Sequence, residues 1–146
     1  MKIINTISEV SQQYAIMADH WAADLEFFKL ETSFLRGLLE DHFMELCDKR
    51  YIEELKRFGK LLMDLDKEEY ECDQLISLQL AKLGLLTKYS LLDNEEKLRE
   101  AQVEIEKIMK TITQEYRRVK KDVFKLLEEL FKNKKLRRMR LSHLDC

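Results

Sequence analysis

Between Ile4 and Leu46 the chain advances in alternating steps of three and four residues, through Ile4, Ile7, Ser11, Tyr14, Ala18, Trp21, Leu25, Phe28, Thr32, Leu35, Leu39, His42 and Leu46. An α-helix turning against a neighbour keeps one face at that spacing, whereas a strand alternates every second residue. A track held for about six heptads therefore predicts one long helix. Thr6 and Glu9 stand at capping-box spacing, which puts the start near residue 6. The track carries the helix to about residue 48, roughly 60 Å at 1.5 Å per residue.

Two further tracks follow. The second passes through Leu55, Phe58, Leu62, Leu65, Glu69, Cys72, Ile76, Gln79, Leu83 and Leu86; the third passes through Leu98, Gln102, Ile105, Met109, Ile112, Tyr116, Val119, Val123, Leu126 and Leu130. Asp93 and Glu96 stand at cap spacing ahead of the third. The chain has no proline and only three glycines, Gly37, Gly59 and Gly84, so the usual punctuation of turns and hairpins is missing. Connections are expected only near residues 48–51 and 88–93, and short connections make sequential helices antiparallel. The prediction is an all-α, up-down-up antiparallel bundle of three long helices, a single domain over residues 1–146 with a basic helix end at 132–146. A four-helix bundle is the alternative, reached if the first helix breaks near residues 16–20 or if Asp66 and Glu69 start a new helix.

Polar residues on the tracks are the first candidates for chemistry. The antiparallel register places Thr32, Glu69 and Thr113 at about one height, and a carboxylate among apolar layers needs a partner. The structural reading has Glu69 bonded to a threonine or reaching Lys29, fixing register at some cost in stability. The functional reading makes it a ligand. His20 precedes Asp24 by one turn, a spacing that can place two ligands on one metal. No histidine follows a glutamate at the Glu-x-x-His spacing of di-iron bundles, however. His42 is read as a packing histidine beside Arg57, and His143 carries no signal.

Trp21, Leu25 and Phe28 belong to the core track, but Phe27, Leu30, Phe34 and Leu38 form a second apolar stripe on the opposite face of the same helix. A lone three-helix bundle should be polar there. Either another element covers the stripe, such as the chain end folded back, or it is an interface, and we read it as the interface of a homo-oligomer.

Glycine-rich phosphate loops and the GxSxG, HExxH and CxxC motifs are absent, so the chain is read as non-catalytic and without a cofactor. Cys47, Cys72 and Cys146 are odd in number and widely spaced, which suits reduced thiols, with Cys72 a small buried hydrophobe. No apolar run reaches the roughly 18 residues of a membrane span, and the N-terminus lacks a signal-peptide pattern, so the expected location is the cytoplasm. Charge is uneven: residues 107–140 hold 13 Lys and Arg against 4 Asp and Glu, while residues 1–106 hold 13 against 23. The basic end can complement the helix dipole, dock on acidic neighbours, or contact nucleic acid or an anionic membrane. No aromatics interleave with the tail bases, which disfavours single-strand binding.

Trp21, Leu25, Phe28, Lys29 and Glu31, with the segments 55–58 and 70–75, resemble a family of small bacterial helical-bundle proteins without an assigned function, over about residues 14–85. The resemblance implies the bundle fold and, through histidines that relatives carry in the second helix, metal binding there. This chain has Arg57 in that region and no histidine between residues 43 and 142. The expected function is a self-associating macromolecular interaction protein with a protein partner yet to be identified. The alternatives are a metal-binding bundle using Asp24, Glu31, Glu69 and His20, and a nucleic-acid or anionic-membrane binder acting through the C-terminal helix.

Overall fold

A computed structural model describes the backbone of residues 2–85 and 88–144 and the side chains of residues 9–85 and 94–139. Ile4, Thr6, Ile7, Leu86, Asp93, His143 and Cys146, all weighed from the sequence, lie outside the described side chains. The architecture is all-α. Helix α1 spans Lys2–Asp41, a single turn α2 spans Phe43–Leu46, α3 spans Ile52–Gly84 and α4 spans Lys88–Leu144. Each long helix packs against the other two. The chain reverses twice, so α3 is antiparallel to both neighbours and α1 runs parallel to α4.

Helix α1 begins at Lys2, ahead of the expected start, and is unbroken through residues 16–20. Likewise α3 runs through Asp66 and Glu69 without a break, so the bundle has three long helices and the fourth is only the one-turn connector. Helix α4 is already running at Asp93, so Asp93 and Glu96 are not its cap. Residues 88–93, expected as the second connection, are helical and belong to α4.

The first connection is made without glycine or proline. His42 leaves helical geometry at φ −109° and ψ 16°, and α2 makes one turn. Asp48 then accepts a hydrogen bond from the Arg50 backbone N–H at 3.0 Å, a side-chain-closed turn of the kind Asp favours. Tyr51 anchors the return: its ring is buried and its hydroxyl is bonded to Asn133 of α4.

The core follows the three tracks. Leu35, Leu39, Phe58, Leu62, Val119, Val123 and Leu126 pack toward the connector end, and Ala18, Leu25, Cys72, Ile76, Ile105 and Ile112 pack toward the other. Phe28 touches both clusters and meets Tyr116 at a ring-centroid distance of 5.3 Å. Cys72 is fully buried, its thiol 3.6 Å from the Met109 sulfur. Burial pushes that thiol up to about 11.

Candidate functional site

The core polar residues are held by each other. Thr32 donates its hydroxyl to Glu69 Oε1 at 2.7 Å, joining α1 to α3 inside the bundle. Burial pushes the Glu69 carboxyl upward against the opposing effect of the Thr32 bond, and its Oε2 has no hydrogen-bond partner. Thr113, placed by sequence at the same height, instead donates to the carbonyl of Met109 in its own helix at 2.7 Å. Lys29 turns to Asp73 at 3.2 Å and Glu26 at 3.3 Å. The helical rotation that aims Thr32 inward carries Lys29 to the edge of the interface.

A second polar layer joins all three long helices. Gln79 Nε2 donates to the Leu98 carbonyl at 2.9 Å and to Gln102 Oε1 at 3.0 Å, and Gln102 Nε2 donates to the Tyr14 carbonyl at 3.1 Å. Both glutamines were visible as interruptions of their tracks, but the network was not. Near the middle of α1, Glu31 Oε2 accepts the Tyr116 hydroxyl and lies 3.6 Å from Lys120 Nζ, so its carboxylate is already engaged.

His42 does not pair with Arg57. It lies 3.9 Å from Glu45 and meets the Phe131 ring edge-on, while Arg57 reaches Asp122 at 3.8 Å. The break at His42 turns its ring toward α4 rather than toward α3. His20 and Asp24 both point to solvent. Among the described residues no group of three or more His, Cys, Asp or Glu side chains is placed to hold a metal ion.

On the α3–α4 flank, Glu68 and Glu115 face each other. Burial, then the neighbouring Glu115 carboxyl, with lesser repulsion from Asp64 and Glu71, pushes Glu68 up to about 7. Glu68 Oε2 is shielded from water and has no donor, so the pair is satisfied when a proton sits between the two carboxyls.

The outer face of α1 departs from a polar bundle surface. Phe27, Leu30 and Phe34 are 54%, 71% and 55% exposed, and no described element covers them. Leu38, the fourth member assigned by sequence, is half-buried and packs on the core. The stripe instead continues toward the N-terminus. Ile16, His20, Ala23, Phe27, Leu30, Phe34 and Gly37 repeat at alternating steps of four and three, a second heptad seam opposite the first. Extending the three-and-four count backward from Phe27 finds this register in the sequence alone.

The seam's electrostatics are one-sided. Asp19, Asp24, Glu26, Glu40 and Asp41 are exposed beside it or at its end. The two basic residues of α1 in the same span are half-buried: Lys29 is shared between Glu26 and Asp73 of α3, and Arg36 is turned to Asp66 of α3. The surface is an apolar row edged by acids.

The chain matches no protein-family profile, no curated protein and no solved structure. No helix among the described residues is long and apolar enough to cross a membrane.

Proposed function

We propose that this protein is a non-catalytic helical bundle that acts by self-association, using the outer seam of α1. The observation that carries the reading is the row of Phe27, Leu30 and Phe34, three large apolar side chains at heptad spacing on a helix whose other face already fills the core. Local folding does not require large hydrophobes there, and burying them in a partner contributes about 1–2 kcal/mol each. The polar residues counted on or beside the core tracks bond across helices, Glu69 to Thr32, Glu31 to Tyr116 and Lys120, and Gln79 to Gln102, which supports a structural role for them.

Light scattering on the native protein, with circular dichroism on the same samples, tests this. The wild type is expected to exceed monomer mass, and Phe34→Glu to move it toward monomer with helicity unchanged. An unchanged oligomer mass in Phe34→Glu removes the seam from the interface. A wild type that stays monomeric at every concentration ends the reading.

A further inference from the structure

Two copies of α1 make poor partners for each other. Pairing seam to seam sets Asp19, Asp24 and Glu40 of one copy beside the acids of the next, while the helix's described bases are already engaged, Lys29 with Glu26 and Asp73 and Arg36 with Asp66. Like charges brought together in a partly dehydrated contact are repulsive. The seam therefore calls for an apolar surface edged by positive charge.

The end of α4 has that character. Among the described side chains of this helix buried positions stop at Leu130 and half-buried ones at Lys134, and its backbone is helical to Leu144. Leu136 and Met139, one turn apart, are 55% and 54% exposed, and Lys135, Arg137 and Arg138 stand around them. Earlier on the same helix Phe124 lies under the Lys120 ammonium and Phe131 meets His42, and Val103 is exposed without flanking bases of the same density.

We propose that the α1 seam of one copy receives the basic end of α4 from a second copy, so that the chains join head to tail. This rests on the self-association reading and names the partner surface within it. Leu136 and Met139 would cover the Phe27–Phe34 row while Lys135 and Arg138 approach the flanking acids. Each chain carries one donor and one acceptor patch, so the contact either repeats reciprocally in a two-fold dimer or propagates from chain to chain into a ring or an open array.

Complementation tests it. One full-length variant, Phe27→Ser with Phe34→Ser, loses the acceptor; another, Leu136→Ser with Met139→Ser, loses the donor. Each alone is expected to be monomeric and fully helical, with association weakened at least about tenfold. Mixed together they retain one intact interface and are expected to form a 1:1 dimer that grows no further. Wild-type association is expected to weaken as salt is raised, since opposite charges meet. If the α4 variant keeps the wild-type oligomer and association strengthens with salt, the contact is seam to seam. That result overturns the head-to-tail arrangement and leaves self-association standing. A wild type that is monomeric throughout overturns both.

Discussion

Thr32 and Glu69 lie 37 residues apart in the chain, and their side chains meet at 2.7 Å inside the bundle. The bond satisfies one carboxyl oxygen and leaves the other without a donor. Removing the hydroxyl with Thr32→Val should cost about 1–2 kcal/mol, because the carboxyl stays buried with less to hold it. Glu69→Leu should be neutral or stabilising by about 1–3 kcal/mol, since an apolar side chain of similar volume avoids the desolvation penalty. Urea denaturation of the two variants measures both. A destabilised Glu69→Leu protein would mean that the polar layer contributes net stability.

Stability should fall as pH rises from about 5 to 8. Glu68 is held near 7 and Glu69 is also raised, so the folded chain binds protons that the unfolded chain releases nearer 4.5. The contribution is fully present below the unfolded value and is lost as pH climbs through the folded one. Glu68 keeps some contact with water, so its share is about 1 kcal/mol after screening. Thermal melts of Glu68→Gln should lose part of this slope, and a Glu68→Gln, Glu69→Gln double variant most of it. An unaltered slope in the double variant would place the titrating groups elsewhere.

Gln102→Ala should destabilise by about 2 kcal/mol, because it strips Gln79 of an acceptor within a dry layer and opens space beside it. Replacing both Gln79 and Gln102 by leucine should cost less than the sum of the two single leucine replacements. Leu98 and Tyr14 lie within helices, where their carbonyls also take part in the backbone ladder. A double-mutant cycle in denaturant gives the coupling directly; strict additivity would count against a shared network.

The two described cysteines should differ sharply in reactivity. Cys47 is exposed in the connector, whereas Cys72 is buried against Met109 with its thiol pushed up to about 11. In a Cys146→Ser background, a thiol reagent at pH 8 should modify one residue promptly and the second only on unfolding. Two fast equivalents under native conditions would mean that the core opens readily around Cys72.

The helices were legible because heptad periodicity is written residue by residue. Buried positions such as Leu25, Leu65 and Ile112 all lie on the counted tracks. The antiparallel register was legible as far as the facing of Thr32 and Glu69, since one short connection fixes the stagger. Side-chain choices within a layer were not. Thr113 has a carbonyl one turn behind it and takes that bond locally, which no count of heights reveals. The break at His42 was missed because it has neither glycine nor proline; it depends on an Asp48-closed turn and on Tyr51 reaching Asn133 across the bundle. Leu38 was assigned outward by spacing from Phe27, but the true row passes through Gly37, and one residue of rotation turns Leu38 to the core edge.

The parallel relationship of α1 and α4 has a kinetic side. Contacts between α3 and α4, such as Gln79 with Gln102, close a short stretch of chain, whereas Tyr14 with Gln102 joins residues 88 apart. Loop-closure entropy favours helices adjacent in the chain, α1 with α3 as well as α3 with α4, so the α1–α4 contacts are expected to form last, when a hairpin containing α3 receives the remaining helix. Pulse-labelled amide exchange should find α3, common to both hairpins, protected no later than α1 or α4. The order matters for chains at high concentration: until the last helix docks, its core seam is uncovered, and a neighbouring hairpin offers the same cradle as its own. Exchange of an outer helix between chains is thus the characteristic misassembly this topology invites.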